Sequence, residues 1–318
     1  MTTDTLNLRI RQICEQTVDI HSFELVCASG AQLPPARAGS HIDIQLPGGL
    51  SRSYSLLDDG SESGAYRIAV KLEADSRGGS KWFHTQARVG TMLKACTPSN
   101  DFPLVENAPS TVLIAGGIGI TPMLSMIERL SRLGKPWILH YAARSPAHMA
   151  YRKELERIAQ ACSGTLFLYF SGEQRRMAVH DIVSKADGNA HLYCCGPSAL
   201  IDAFIEAGRQ RDPVTVHYER FAASQTAALD GGFKVQLSRS GKVVSVTAGM
   251  SILDALLDAG VDIQYACSQG VCGTCKTRVI SGVPDHRDEC LTEAEREENG
   301  AIIPCCSGSR SPLLVLDL

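Results

Sequence analysis

The chain has 318 residues, with 31 lysines and arginines against 34 aspartates and glutamates, which gives a formal net charge of -3. This near balance gives no support to a nucleic-acid-binding protein, because such domains carry a clear basic excess. Hydrophobic residues make up 44% of the chain and charged residues 20%, which is typical of globular proteins and not of disordered ones. The length suggests two or three domains, and the twelve cysteines exceed what packing requires.

No targeting signal or membrane segment is predicted. The N-terminal stretch contains no continuous apolar run of the kind that a signal peptide needs. Residues 107–127 carry no charge over a length that would span a bilayer, but glycines and a Thr121-Pro122 pair interrupt them, so we interpret them as strand, tight loop and helix. We expect a cytoplasmic protein with no membrane partner. In that reducing compartment, closely spaced cysteines indicate metal or redox chemistry more often than disulfides.

Short strands with glycine and proline turns dominate the first hundred residues. Residues 41–46 alternate polar and apolar side chains before a turn at 47–49, and residues 66–72 form a second strand candidate. Little helical periodicity accompanies them. The pattern predicts a small antiparallel β-barrel.

From about residue 107 the pattern changes to alternating strands and helices. Thr111–Ala115 is a continuous apolar run, as expected for a strand buried on both faces. A helix at Met123–Leu133, a strand at Trp137–Ala142, a helix near Tyr151–Gln160 and a strand at Thr165–Phe170 are predicted to follow. This alternation predicts an α/β domain with a parallel sheet and crossover helices.

The segment Ala222–Gly232 is small, polar and glycine-terminated, and it is the best candidate for a linker. Two strands are predicted after it, at Phe233–Leu237 and Lys242–Val246, followed by a short helix, Ile252–Ala259, with Ser251 as its cap. The remaining length is sufficient for a domain of its own.

Four cysteines carry the strongest chemical signal in the chain. Cys267, Cys272 and Cys275 follow the pattern C-x4-C-x2-C, and Cys305 comes twenty-nine intervening residues later. This is the spacing of a plant-type [2Fe-2S] site, in which four thiolates hold the two irons. The alternative is a zinc site with four cysteine ligands, but zinc prefers two paired knuckles, and the second half offers only the adjacent pair Cys305-Cys306.

The residues around these cysteines fit an iron–sulfur cluster. Gly270 and Gly273 leave the backbone free to wrap closely and to aim N–H groups at the sulfurs. Spacing alone does not decide between Cys305 and Cys306 as the fourth ligand, and Cys290 is interpreted as a bystander.

Two loops at strand ends suggest a nucleotide site. Residues 116–122, GGIGITP, follow the buried strand and open a helix, so their N–H groups can approach a pyrophosphate. Pro122 replaces the third glycine of the standard dinucleotide fingerprint, and an ordinary strand-to-helix turn is the alternative. Residues 194–197, CCGP, end another strand at the edge where such sheets bind ligands.

Two short motifs in the first hundred residues suggest a phosphate cradle. Arg52-Ser53-Tyr54-Ser55 lies on a predicted strand, and Arg77-Gly78-Gly79-Ser80 follows another. Arginine, the amides of a glycine pair and a serine hydroxyl together suit a phosphate, and Tyr54 offers a flat face for a ring. Each motif alone would more often be a surface arginine with a glycine turn.

Six motifs, taken in chain order, resemble those of the phthalate dioxygenase reductase and vanillate demethylase reductase family. They are RSYS, RGGS, GGIGITPM, CCGP, ERF (residues 219–221) and the cysteine quartet. The resemblance covers essentially the whole chain and implies three modules. These are an FMN-binding antiparallel β-barrel at residues 1–106, an NAD-binding α/β domain at 107–225, and an α+β plant-type ferredoxin domain of the β-grasp type at 226–318.

The resemblance also implies roles for individual residues. In the flavin site it points to Arg52, Tyr54 and Ser55, with Gly78, Gly79 and Ser80 at the phosphate of FMN. In the NAD loop it points to Gly116, Gly117, Gly119, Thr121 and Pro122. Near the reacting rings it points to Cys195, Gly196 and Pro197 at the nicotinamide and to Phe221 over the flavin. In this family x-Ser follows the fourth ligand, which favours Cys305, and Gly308 stands where relatives often carry arginine.

The order of the cofactors follows from their chemistry. NADH delivers two electrons together as hydride, a [2Fe-2S] cluster accepts one at a time, and a flavin between them can do both. FMN is expected in place of FAD because RGGS gathers contacts around a single phosphate. Arg144 and Ser145, after the second strand of the α/β domain, would accept a bare ribose or a 2′-phosphate, so NADPH stays possible beside the NADH that the family favours.

The expected partner is a Rieske-type terminal oxygenase that acts on an aromatic compound. Residues 226–318 hold 12 acidic and 8 basic side chains, while the rest of the chain holds 22 and 23. An acidic electron donor would steer toward a basic patch on an oxygenase, although residues 285–298, with seven of these acids, also fit a simple solvated segment. The alternatives are a reductase for a cytochrome P450 or other acceptor, and a redox-sensing electron carrier, which would not need both nicotinamide motifs.

Overall fold

The computed structural model describes residues 5–58, 64–74, 76, 78–173, 176–223 and 226–318. The chain divides into two compact units, Met1–Arg220 and Phe221–Leu318. The antiparallel, parallel α/β and ferredoxin-like parts of the predicted fold class are all present. The boundaries predicted at residues 106 and 225 stay predictions.

The first part of the first unit is a six-stranded antiparallel sheet with the order β4-β3-β6-β1-β2-β5. Its strands are β1 Thr5–Thr17, β2 Ile20–Cys27, β3 His41–Gln45, β4 Ser51–Ser55, β5 Tyr66–Lys71 and β6 Met92–Cys96. The amide of Leu57, just past β4, donates to the carbonyl of Arg67 on β5 at 2.9 Å, so the two edges of the sheet meet there. The sheet curls around its own apolar core, as a barrel requires.

One helix in this region has no counterpart in the sequence prediction. Helix α1, Gly79–Thr85, begins in the RGGS motif and buries Phe83 against Phe23 and Tyr54, with ring centroids 4.8 and 5.2 Å apart. A single aromatic anchor leaves no helical periodicity to detect in so short a segment.

The second part of the first unit is a five-stranded parallel sheet with the order β11-β10-β7-β8-β9. Its elements are β7 Thr111–Gly116, α2 Ile120–Arg132, β8 Trp137–Ala143, α3 Arg152–Ala161, β9 Gly164–Phe170, α4 Val179–Lys185, β10 His191–Cys195, α5 Ser198–Gly208 and β11 Val216–Glu219. Every residue of β7 is buried, as its continuous apolar run predicts.

Helix α2 begins at Ile120, earlier than the predicted start at Met123. Pro122 lies in the first turn of this helix, where an N–H group has no intrahelical partner in any case, so proline is tolerated there. A proline that looked like a boundary is therefore part of the helix.

The second unit is built on a five-stranded mixed sheet with the order β13-β12-β18-β14-β16 and a small two-stranded sheet, β15-β17. Its elements are β12 Phe233–Leu237, β13 Val243–Val246, α6 Ile252–Asp258, β14 Thr277–Ser281, β15 Pro284–Asp285, α7 Glu293–Glu297, β16 Ala301–Ile302, β17 Gly308–Ser309 and β18 Leu313–Leu316. Ser251 caps α6 in a reciprocal capping box with Asp254, as predicted for the cap. The apolar face of the sheet packs on α6.

No helix within the described ranges is long and apolar enough to cross a bilayer.

Candidate redox sites

Two loops meet at the carboxyl ends of neighbouring strands in the middle of the parallel sheet. Strand β7 pairs with β8 on one side and with β10 on the other, so the connections that leave β7 and β10 start at the point where the strand order reverses. Ligands bind at this topological switch point in open α/β sheets. The structure thus brings the GGIGITP and CCGP motifs together, although they are nearly eighty positions apart in the sequence.

Glycine is required where these loops touch. A Cβ atom on Gly119 would lie 2.3 Å from the carbonyl oxygen of Cys195, and one on Gly116 would lie 2.7 Å from Cδ of Pro197. A Cβ on Gly196 would lie 3.0 Å from Cα of Gly116. The two loop backbones are therefore in a close contact that only glycine permits at these positions.

Two hydroxyl groups of the predicted nucleotide site have hydrogen-bond partners within the protein. The Thr121 hydroxyl, on a buried residue, donates to the carbonyl of Ile118 at 2.9 Å and closes the turn into α2. Beyond the end of β8, Arg144 is exposed, and the Ser145 hydroxyl lies 2.9 Å from Nδ1 of His148. Their predicted contact with the ribose of a nucleotide stays a prediction.

Two buried acidic groups lie side by side at the same edge. Cys195 and Glu219 are partners in the β10–β11 register; Cys195 is fully buried, and Oε2 of the half-buried Glu219 has no exposed surface. Burial raises the pKa of Cys195 well above its ordinary value, with a second contribution from Glu219. Burial also raises the pKa of Glu219 to about 8, with Asp101 adding to it. Cys195 therefore stays a thiol, which suits packing against a reacting ring and not nucleophilic attack. Nothing in the sequence pattern marks Glu219 as a member of this pair.

The flavin motifs also come together. A Cβ on Gly79 would lie 2.9 Å from Cγ of Arg52, so the buried arginine of RSYS runs along the backbone of the RGGS motif. Gly78 has a φ of +101°, a conformation that favours glycine. A Cβ on Gly79 would fill the space beside the Arg52 side chain, and one on Gly78 would lie 2.9 Å from Cδ1 of Leu50, so the glycine pair keeps this cradle open for a phosphate.

The remaining residues of the two motifs line the same region. Burial raises the pKa of the Tyr54 phenol, and its ring meets Phe83 edge-on, while Ser55 is buried. The Ser80 hydroxyl accepts from the amide of Glu73 at 3.2 Å. Arg77 lies outside the described residues.

The predicted cluster ligands come from two stretches of the second unit. Cys267, Cys272 and Cys275 lie between α6 and β14, and Cys305 follows β16. The thiols of Cys272 and Cys305 both affect the pKa of Cys267, which is raised from its ordinary value, so the two stretches lie close together. Thiols are the donors that a [2Fe-2S] cluster needs, and the two stretches together supply the four predicted ones. Among the described residues, however, no group of three or more His, Cys, Asp or Glu side chains has the ready geometry of a metal-ion site, so the ligand assignment stays a prediction.

The neighbouring Cys306 has a different environment. A Cβ on Gly270 would lie 2.5 Å from Sγ of Cys306, so this side chain packs against the backbone of the first ligand loop. Gly270 has a φ of +78°, and the amide of Gln269 donates to the sulfur of Cys267 at 3.2 Å, as expected for a loop that turns its N–H groups toward sulfur. Phe221, the predicted flavin cover, belongs to this second unit and is 36% exposed.

Family models match both chemical regions. A model described as an oxidoreductase NAD-binding domain matches residues 113–205, and one described as a 2Fe-2S iron-sulfur cluster binding domain matches residues 235–308. The chain is therefore a nicotinamide-dependent iron–sulfur oxidoreductase.

Whole-chain comparisons narrow the class. Phenoxybenzoate dioxygenase subunit beta of Ectopseudomonas oleovorans is 47% identical over 98% of this chain and 97% of its own length. The solved structure of phthalate dioxygenase reductase is 38% identical over 99% of this chain and 98% of its own, with a TM-score of 0.86. The chain belongs to the phthalate dioxygenase reductase and vanillate demethylase reductase family. Its cofactors are FMN, a [2Fe-2S] cluster and a nicotinamide nucleotide.

A larger protein shares the same architecture. The structure of an intact type IV self-sufficient cytochrome P450 monooxygenase is 35% identical over 99% of this chain but only 41% of its own length, with a TM-score of 0.74.

Proposed function

We propose that this chain is the reductase component of a two-component Rieske-type aromatic oxygenase, working in the cytoplasm with NADH as its electron source. The observation that carries the proposal is the combination, in one chain, of a glycine-lined switch point and a separate unit with four cysteines at plant-type spacing. A protein needs both a hydride-accepting site and a one-electron outlet only if it passes electrons from a nicotinamide nucleotide to a one-electron acceptor.

In the first unit, the backbone at the switch point binds and orients the nicotinamide nucleotide. Its contacts are assigned to Gly116, Gly117, Gly119, Thr121 and Pro122, with Arg144 and Ser145 at the adenosine ribose. Gly196 and Pro197 hold the nicotinamide end, where the neutral Cys195 packs against the ring and Phe221 covers the flavin.

The flavin site is assigned to Arg52, Tyr54, Ser55, Gly78, Gly79 and Ser80. Bound FMN supplies the conversion between a two-electron donor and a one-electron acceptor. The Arg52 guanidinium neutralises the phosphate, and the glycine pair lets the phosphate approach the backbone.

In the second unit, Cys267, Cys272, Cys275 and Cys305 are assigned as the cluster ligands. The influence of Cys305 on the pKa of Cys267, and the packing of Cys306 against Gly270, support Cys305 as the fourth ligand. The three modules are assigned to residues 1–106, 107–225 and 226–318, and the observed border between Arg220 and Phe221 lies close to the second of these limits.

A first experiment tests the flavin site. Arg52→Ala and Ser80→Ala should each release FMN more readily than the wild type, because a charge-assisted or hydroxyl contact to the phosphate is lost. Arg9→Ala, at an exposed position of the same sheet, is the matched control. Released flavin is identified by chromatography after denaturation, and recovery of FAD would refute the cofactor assignment.

A reductase for a cytochrome P450 is the second candidate, favoured by the likeness to the self-sufficient P450 structure. The two are separated by offering the reduced protein a purified Rieske oxygenase and a purified P450 under the same conditions. Faster NADH-driven reduction of the Rieske centre supports the first candidate, and faster reduction of the haem supports the second.

A further inference from the structure

A buried carboxylate outside the cysteine motif links the two halves of the predicted ligand set. The side chain of Asp288 has no exposed surface, and it lies in the segment between β15 and α7, well away from Cys275 and Cys305 in the sequence. Burial of a lone carboxylate is costly unless donors surround it. Its donors show what it holds in place.

On one side, Asp288 fixes the chain that lies against the first ligand loop. Its Oδ2 atom accepts from the amides of Cys290 at 3.2 Å and Leu291 at 2.8 Å. The same short segment reaches the ligand loop, because the amide of Glu289 donates to the carbonyl of Gly270 at 2.9 Å and the Cys290 thiol donates to that carbonyl at 3.2 Å. Asp288 therefore acts on the loop between the first two ligands.

On the other side, Asp288 reaches the turn of the fourth ligand. The hydroxyl of Ser307, two positions after Cys305 and fully buried, donates to Oδ1 of Asp288 at 3.4 Å and accepts from the amide of Arg287 at 3.1 Å. The flanking strands β15 and β17 pair directly beside this contact, at Asp285 and Gly308. The carboxylate thus ties the Cys305 turn to the segment that holds Gly270.

Two cationic or ionisable side chains complete the surroundings. Arg296 of α7 donates to the backbone carbonyl of Asp288 at 2.6 Å and has its guanidinium 3.6 Å from Oδ2. His286 places Nδ1 at 3.8 Å from Oδ1, and neither of its ring nitrogens has a hydrogen-bond partner. The groups that reach the oxygens of Asp288 are hydrogen-bond donors, and an ionised carboxylate is purely a hydrogen-bond acceptor.

We propose that Asp288 is a positioning residue for the [2Fe-2S] cluster. It holds the first ligand loop and the Cys305 turn in fixed positions relative to each other, and it places a buried negative charge next to both. The inference rests on the ligand set proposed above. Because reduction adds one electron to the cluster, a nearby buried negative charge disfavours the reduced form and lowers the potential.

The test compares two changes at Asp288 in the full-length protein. Asp288→Asn keeps an acceptor of the same shape but removes the charge, so it should retain wild-type iron and sulfide while its midpoint potential rises. We expect a three- to tenfold change in the reduction equilibrium, which is about 30 to 60 mV for a one-electron couple. Asp288→Ala removes the acceptor as well and should lose the cluster faster in the presence of a chelator. Glu293→Gln, the same charge change at an exposed position, should leave both quantities unchanged.

A second variant keeps the inference testable if both Asp288 variants fail to fold. Ser307→Ala removes the hydroxyl that joins Asp288 to the fourth-ligand turn, and it should shorten the half-life of the cluster under chelation severalfold. An unchanged half-life would contradict the positioning role, and so would an unchanged potential in a folded Asp288→Asn. Absence of iron and sulfide from the wild-type protein would instead refute the proposed ligand set, so the two failures are distinguishable.

Discussion

The switch point of the first unit and the ligand loops of the second hold their groups in different ways. At the switch point, regular strands end in loops whose backbones are in contact. The glycines there have no space for a Cβ atom. The ligand loops contain little regular structure, since no helix or strand interrupts residues 259–276 or 286–292. In the second unit, the buried carboxylate of Asp288 and its hydrogen-bond donors hold the loops in position, whereas strand pairing holds them in the first unit.

The two designs predict different vulnerabilities. A region held by backbone contact is sensitive to added volume, because a strand end cannot move without its sheet. A region held by a polar network is sensitive to the loss of one partner, because the other buried groups are then left unsatisfied. Four changes examine this difference.

The largest effect is expected at the fourth cluster ligand. Cys305→Ser should lose most of the iron and acid-labile sulfide, because a hydroxyl replaces the thiolate that we assign as the fourth ligand. Cys306→Ser should keep the cluster, since that side chain only packs against Gly270. Iron and sulfide assays on both variants check the assignment. Full retention in Cys305→Ser together with loss in Cys306→Ser would reverse it.

The next effect tests the backbone contact at the switch point. Gly119→Ala would place a Cβ against the rigid carbonyl of Cys195, and we expect it to destabilise the first unit by about 2–4 kcal/mol and to abolish NADH oxidation. Gly188→Ala is the matched control, because a Cβ there meets nothing within 4 Å. Thermal unfolding and NADH oxidation are measured alongside cluster content, which should not change. Normal NADH oxidation in Gly119→Ala would show that the contact is not required.

A smaller effect is expected at a polar centre in the first unit. Arg67 on β5 contacts Asp58 and reaches Glu128 on α2 and Glu154 on α3, so it joins the antiparallel sheet to the helices of the parallel one. Arg67→Met should destabilise the chain by about 1–3 kcal/mol, because it leaves three carboxylates together without their partner, partly screened by water. Denaturant unfolding measures this. A loss larger than that of Gly119→Ala would mean that the first unit also depends on a polar network.

The smallest effect is a change in pH dependence. Burial raises the pKa of Glu128 from 4.5 to about 7, although Arg67 opposes the shift. The folded chain therefore holds a proton on Glu128 that the unfolded chain releases between these values, so the stability contributed by this group falls as the pH rises from 4.5 to about 7. Glu128→Gln should flatten that slope and raise the melting temperature at pH 8 relative to the wild type. Parallel pH profiles of the two proteins would contradict the shift.

Much of the fold could be predicted from the sequence because its signals are local. Strand β12 begins and ends where its apolar alternation predicts, and the buried strand β7 extends only one residue beyond its prediction. Helix α1 could not be predicted, because one buried phenylalanine leaves no period to detect. The early start of α2 was missed because Pro122 resembles a boundary and is in fact part of the first turn.

The candidate sites divide in the same way. Motifs made of glycines and cysteines could be found from spacing, because their chemistry requires those residue types at those positions. Asp288 could not be distinguished from Glu293, since both belong to an acidic segment that also fits solvent exposure, yet only the first is buried. Its burial depends on donors such as Ser307 that come from a distant part of the chain. In the same way, the sequence does not reveal that Glu219 lies beside the buried Cys195, because strands β10 and β11 pair only in the fold.

The central claim is that electrons leave the chain through the cluster and not directly from the flavin. A chain that ends near residue 225 and the full-length Cys305→Ser variant should both reduce a small dye with NADH as fast as the wild type, because hydride transfer needs only the first unit and Phe221. Neither should support turnover by a Rieske oxygenase, since the outlet is missing, whereas plant-type clusters at about -400 mV can reduce a Rieske centre downhill. The decisive measurement is paired dye reduction and oxygenase turnover on all three proteins. Dye reduction retained with turnover lost is the predicted result, and full turnover without the cluster would contradict the account.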